Sequence, residues 1–262
     1  FKFGAAPFHM WIPDVYHGSL ITTTLLLSTV PKIAVFIILV KLLGLVFSDL
    51  IIFWSDILQI LAILSIIIGN ITAIAQINIK RMLAYSTIAN IGFILLALSI
   101  GSINSFIAAM FYTLTYVITT ILAFGLLSQL LSNGKGIEEI SDLSGLAKYN
   151  PLAAFMLLAI MLSYIGIPPF LGFHAKLLVI QSLVQGNHIA LSIFAVVMTV
   201  IGSYYYLRVI KVIYFDNYTD SISLSSSHMF SALLVFFLIY LGLFPGVINE
   251  ISTVGMSNLF ST

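Results

Sequence analysis

Charge is scarce in this chain of 262 residues, with 10 lysines and arginines against 9 aspartates and glutamates, 7 % in all. A soluble domain averages about 25 %. So few charges cannot cover the surface of a water-soluble globule, and a net charge of +1 excludes a basic nucleic-acid binder. Cysteine is absent, which excludes a disulfide framework, a thiolate metal site and iron–sulfur ligation within this polypeptide. No Gly-rich phosphate loop, GxSxG elbow, HExxH pair or paired-carboxylate arrangement occurs, so hydrolytic and nucleotide chemistry have no residues to work with. A charged n-region and a small-residue cleavage site are also missing, and no signal peptide is expected. What is abundant is apolar surface, at 61 % of residues, and it places the chain in lipid.

A spanning helix needs roughly 20 mostly apolar residues to cross about 30 Å of hydrocarbon. Seven such runs are expected: Leu20 to Phe47, Ile51 to Gln76, Met82 to Ile100, Ile103 to Leu131, Leu152 to Gln185, Ile189 to Phe215 and Met229 to Ile248. The fold class is therefore an all-α integral membrane bundle. Phe1 to Trp11 is too short to cross and is cut by Pro7, so it reads as the tail of a helix. The run from Leu152 to Gln185 is too long for one straight span and holds Gly166, Pro168, Pro169 and Gly172 in its middle, the pattern of a broken helix. Asn133 to Asn150 and the Ser-rich Asp216 to Ser227 read as loops. With the Asp14–His17 loop on one side, alternation gathers Lys80, Arg81, Lys135, Lys148, Arg208 and Lys211 there, leaving little beyond Lys41 opposite. The cation-rich side is expected to face inward.

The informative charges are those inside the spans. Lys32 lies about 12 residues into its run, roughly 18 Å along a helix, near the bilayer centre. Lys176 follows the Gly166, Pro168, Pro169, Gly172 break and also falls near mid-membrane; Lys2 precedes Pro7. A lysine at that depth costs about 2.5 to 3.5 kcal/mol on insertion scales, so it should face protein or water. Desolvation disfavours the charged form of a buried amine, which suits it to exchanging a proton with a nearby charge. The alternative is snorkelling, and for Lys41, about one turn from its span's end, that is the better reading. Interrupting a helix frees backbone groups that are tolerated only against protein or a wet cavity, so a break beside a lysine marks a conduction site. Lys2 precedes its break and Lys176 follows its own, the mirrored order of inverted repeats. His174, two residues from Lys176, either relays protons or bonds a freed carbonyl of the broken turn. His9 and Tyr85 are softer candidates, and His17 and His188 read as loop residues. Asn70, Thr72, Ser86, Thr87 and Asn90 either line a polar track or act as interhelical glue. Asp56 suits a solvated mouth.

The opening FKFGAAPFHMWIPDVYHG, then STVPKIAVF around Lys32, IKRMLAYSTIANIGF from Ile79 and LSYIGIPPFLGFHAK ending at Lys176 closely resemble subunit N, or subunit 2, of respiratory complex I, the proton-pumping NADH:ubiquinone oxidoreductase. That resemblance implies an antiporter-like bundle of two inverted five-helix repeats, each with one broken helix. Residues 1–47 would end the first repeat, 48–215 would form the second, and 216–262 would hold a loop and the last spanning helix. It implies a proton relay through Lys2, Lys32 and Lys176, with helix breaks at Pro7 and at Gly166, Pro168, Pro169 and Gly172. No cofactor or metal is expected in this chain, since NADH, flavin, iron–sulfur clusters and ubiquinone belong to other subunits of such a complex. Expected partners are other membrane-arm subunits, including sister antiporter-like ones, an N-terminal piece of the same fold, either a separate polypeptide or a preceding part of this one, and lipid. The Ile-, Phe- and Asn-rich usage suggests the mitochondrial inner membrane, with a bacterial plasma membrane as the alternative. A subunit of a multi-subunit cation/proton antiporter, a free-standing secondary transporter and a structural membrane scaffold are the competing functions.

Overall fold

The structure, a computed structural model, describes residues 1–132, 135–216, 222–224 and 229–261. A turn-rich segment over residues 1–10 leads into a short helix, α1 (Trp11–Gly18). Long helices follow: α2 (Ile21–Lys41), extended by a π-helical turn over Leu42–Val46, α3 (Ile51–Ile74), α4 (Ile79–Leu98) and α5 (Ile103–Leu127). After a short helix α6 (Leu146–Tyr149) come α7 (Pro151–Ile165), α8 (Leu171–Gln185), α9 (Ile189–Tyr214), α10 (Met229–Leu243) and α11 (Gly246–Ser261). Three short strands, β1 (Leu130–Ser132), β2 (Lys135–Gly136) and β3 (Ile222–Leu224), form an antiparallel sheet in the order β2-β1-β3 at one end of the bundle.

Among the described residues five helices are long and apolar enough to cross a membrane. The expected span from Leu152 to Gln185 is broken, as read from its Gly and Pro content: α7 ends on Gly166 at φ +88°, and α8 begins five residues later. Gly172 lies outside that break. It is the second residue of α8, where an added Cβ would come within 1.8 Å of the Ser163 carbonyl oxygen, so its service is close packing of α8 on α7. Two further expectations need correction. Residues 1–10 are turns and not a helix tail, and the helical part is Trp11–Gly18, including His17; Pro13 fits its first turn, where a missing N–H costs no intrahelical bond. The last expected span, Met229 to Ile248, is two helices meeting at an 80° bend. Pro245 cannot donate to the preceding turn and disfavours helical geometry in Phe244, so α10 stops at Leu243. The Ser-rich stretch from Asp216 to Ser227 lies largely outside the described residues.

α4 is the hub, buried along almost its whole length, whereas most of α3 lies on the periphery. Close helix approach in lipid depends on small residues, because apolar tails offer no hydrophobic drive for association. An added Cβ at Gly69 would lie 2.6 Å from the Ala89 amide, and one at Gly92 would lie 2.9 Å from the Ala62 carbonyl, so α3 and α4 touch backbone to backbone. The expected clustering of cations is visible in their bonds. Lys80 Nζ donates to the carbonyls of His17 and Ser19 at the end of α1 (2.9 and 3.1 Å), and Arg208 donates to those of Ile74 and Gln76 at the end of α3 (3.2 and 3.1 Å). Each offsets the negative end of a helix dipole at the same end of the bundle. Arg81 pairs there with Asp14 at 3.4 Å.

Candidate functional site

Local backbone chemistry explains where the two central lysines go. In the segment before α1, Gly4 adopts φ +87°, a conformation that leaves the carbonyls of Lys2 and Phe3 outside any helix. Lys32, 1 % exposed on α2, sends its Nζ to both, at 3.3 Å from Lys2 O and 2.7 Å from Phe3 O. The indole of Trp11 lies 5.3 Å from the same nitrogen, in range of a cation–π contact. A Cβ on Gly4 would sit 2.0 Å from Ile12 Cδ1 and 3.2 Å from Lys32 Nζ, so only glycine leaves room there.

The second break repeats the arrangement. Gly166 again has positive φ, and the two carbonyls preceding it, Tyr164 O and Ile165 O, each accept from Lys176 Nζ at 2.9 Å. The ring of Phe93 on α4 lies 5.6 Å away. A Cβ on Gly166 would stand 3.0 Å from Lys176 Cδ. The turn segment before α1 and the break before α8 thus each present a pair of carbonyls ahead of a left-handed glycine, filled by one ammonium and flanked by one aromatic ring.

Between the lysines runs a line of hydroxyls. Ser28, one turn before Lys32, has its carbonyl 3.3 Å from Tyr116 Oη, which also lies 3.0 Å from Thr87 Oγ1. Thr120, one turn beyond Tyr116 on α5, shares a 3.0 Å hydrogen bond with Tyr164 Oη, whose own carbonyl holds Lys176. Beside this line is a cavity of about 20 Å³ bounded by Asn90, Tyr112, Thr115, Tyr164 and Lys176 among others. A space of that size holds one water where polar partners exist. They do: Asn90 Nδ2 and Thr115 Oγ1 are buried without a hydrogen-bond partner, while Tyr112 Oη donates to Asn90 Oδ1 at 2.9 Å.

Of the residues singled out from the sequence, Lys32 and Lys176 occupy equivalent settings, whereas Lys2 is exposed and contributes its carbonyl to Lys32. Pro7 lies in the turns before α1, and Pro168 and Pro169 lie in the break before α8. His174 bonds through Nε2 to the Gly242 carbonyl of α10 at 3.0 Å, and not to the broken turn. Two positions apart on a helix, His174 and Lys176 point in nearly opposite directions. Asn70 ties α3 to α9 through Met198 O (3.1 Å) and Tyr205 Oη (3.3 Å), a glue role. Ser86 and Thr72 bond back to carbonyls of their own helices. His9 is buried with Nδ1 unpartnered, Tyr85 is partly buried, His188 precedes α9 as a loop residue should, and Asp56 is exposed. The tyrosines went unnoticed in the sequence. Their signal was there: Tyr112, Tyr116 and Thr120 recur every four residues, which puts them on one face of α5.

The family described as NADH:quinone oxidoreductase/Mrp antiporter, transmembrane, matches residues 1–202. The chain belongs to this family. Among similar proteins, NADH-quinone oxidoreductase subunit N of Thioalkalivibrio sulfidiphilus is 44 % identical over 98 % of this chain and 54 % of its own length, and that of Coxiella burnetii is 42 % identical over 96 % and 53 %. The chain spans about half the length of the curated relatives it matches. A chain of respiratory complex I from Thermus thermophilus superposes with a TM-score of 0.77 at 32 % identity, covering 95 % of this chain and 55 % of the other. A chain of the Mrp complex from Dietzia superposes at 0.86 and 20 % identity, covering 99 % and 57 %, a likeness of fold alone.

Proposed function

We propose that the chain carries part of the proton path of an NADH:quinone oxidoreductase, in the manner of subunit N, moving protons along a lysine axis in response to quinone reduction elsewhere in the complex. The observation that carries this is the repeated site: Lys32 and Lys176, each held on two carbonyls ahead of a left-handed glycine, with Tyr116 Oη on the Ser28 carbonyl and the Thr120–Tyr164 hydroxyl contact between them. Carbonyls satisfy an ammonium without neutralising it, so either amine keeps its hydrogen-bond geometry while its charge answers to a neighbour. A unit charge moving to about 8 Å is worth roughly 2 kcal/mol at an effective dielectric of about 20, more than a tenfold change in proton occupancy. Lys2 is assigned as the amine of the first half-channel. Residues 48–215 are assigned as the second antiporter-like repeat. NADH, flavin, iron–sulfur clusters and ubiquinone are assigned to other subunits, since this chain has no cysteine and its ionisable residues are few. The cation-rich end faces inward, and the bacterial sources of the relatives favour a plasma membrane over the mitochondrial inner membrane that composition suggested.

The test is Lys176→Ala in the complex assembled in its native membrane, with protons moved per electron as the readout. Loss of a large share of the pumped protons, with electron transfer to quinone retained, is the expected result. Unchanged stoichiometry overturns the role of Lys176. Sodium-dependent transport by this chain without NADH oxidation would move the function to the Mrp-type antiporters.

A further inference from the structure

The C-terminal helix pair meets the second break at one spot. Gly242, near the end of α10, packs so tightly on it that an added Cβ would lie 2.2 Å from Pro169 O and 2.8 Å from the Leu171 amide. Its carbonyl belongs to the last turn of α10, where the ladder stops because Pro245 has no N–H to offer and the chain turns through 80° into α11. That carbonyl receives His174 Nε2 at 3.0 Å. His174 sits on the first turn of α8, next to a backbone that bonds mainly to itself: Ile167 N to Leu162 O (3.2 Å) and Phe170 N to Ile167 O (3.1 Å). The face of α8 opposite His174 carries Lys176, whose carbonyl partners lie at the far end of the same five-residue break.

We propose that His174 is a positioning residue: by capping the Gly242 carbonyl it straps the bent α10–α11 pair to the second helix break and thereby holds Tyr164 O and Ile165 O in place for Lys176. This inference rests on the proton-path role of Lys176 for its functional consequence, and on geometry alone for the strap. The turn segment before α1 is tied differently: Ala6 N donates to Ser65 Oγ of α3 at 2.8 Å, and its carbonyls are held by Lys32 from α2. A hydrogen-bond donor is all the role requires, so glutamine, which reaches a similar distance with an N–H, can replace the imidazole, whereas leucine cannot.

The experiment compares His174→Leu and His174→Gln in the assembled complex, reading amide hydrogen exchange at Ile167 and Phe170 alongside protons moved per electron. Losing one such bond is expected to speed exchange at those two amides by about tenfold in His174→Leu, with fewer protons per electron, and His174→Gln is expected to restore both. Equal exchange in His174→Leu and the unaltered chain overturns the strap, as does failure of glutamine to rescue. If exchange follows the expected pattern while Lys176→Ala leaves pumping intact, the strap stands and the proton-path reading falls.

Discussion

The turn segment before α1 and the helix break before α8 solve the same problem with different lysines. At the first, the freed carbonyls of Lys2 and Phe3 are taken by Lys32 from the following helix. At the second, the freed carbonyls of Tyr164 and Ile165 are taken by Lys176 from the continuation of the same broken helix. Sequence order pairs Lys2 with Lys176, as the lysines adjacent to breaks; hydrogen bonding pairs Lys32 with Lys176. What repeats is therefore the receptor, two carbonyls followed by a left-handed glycine, and not the sequence position of the amine that fills it. The two sites differ in enclosure as well. Lys32 is sealed at 1 % exposure, while Lys176 is partly exposed and borders a cavity large enough for a water.

That difference is open to attack by substitution. Replacing each lysine by methionine keeps most of the volume and removes the donor. Lys32→Met is expected to cost about 3 kcal/mol, the buried Phe3 carbonyl and the part-buried Lys2 carbonyl both losing a charged partner, and Lys176→Met less, because water can reach the vacated carbonyls beside its cavity. Thermal denaturation of the complex purified in detergent ranks the two; a larger loss for Lys176→Met would invert the comparison. The glycines come next. Alanine at Gly4 or Gly166 must adopt a left-handed conformation at roughly 1 to 2 kcal/mol, and Gly4→Ala must also displace Ile12 Cδ1, which the new Cβ would approach to 2.0 Å. Gly4→Ala should accordingly lower the melting temperature more than Gly166→Ala does, and equal losses would show that Ile12 moves aside freely. The smallest effect is expected from Lys41→Gln. Lys41 is exposed at the end of α2 and bonds to neither break, so stability should stay within about 0.5 kcal/mol and pumping should not change.

Much of this was legible in the residues. The scarcity of charge and the lengths of the apolar runs announced a membrane bundle, and Gly166, Pro168 and Pro169 announced where one span would break, because backbone preferences of glycine and proline are local. Lys32 and Lys176 stood out for the same reason, a charge at a depth where it costs several kcal/mol. Gly172 and Pro245 show the limit. Both are residues that punctuate helices, yet Gly172 continues α8 under the pressure of Ser163 packed against it, while Pro245 ends α10 inside what read as a single apolar run. The partner of His174 was equally hidden, since Gly242 lies 68 positions away.

Composition and local backbone chemistry by themselves determined that this chain lives in lipid, where most of its long apolar helices lie and which two amines would need a reason to be there. Only the packed bundle decided what those amines touch. Which carbonyl a lysine reaches depends on how helices distant in sequence are set against one another, and that setting comes from backbone-to-backbone contact at glycines such as Gly69, Gly92 and Gly242, a property of pairs of helices that no single stretch of residues contains.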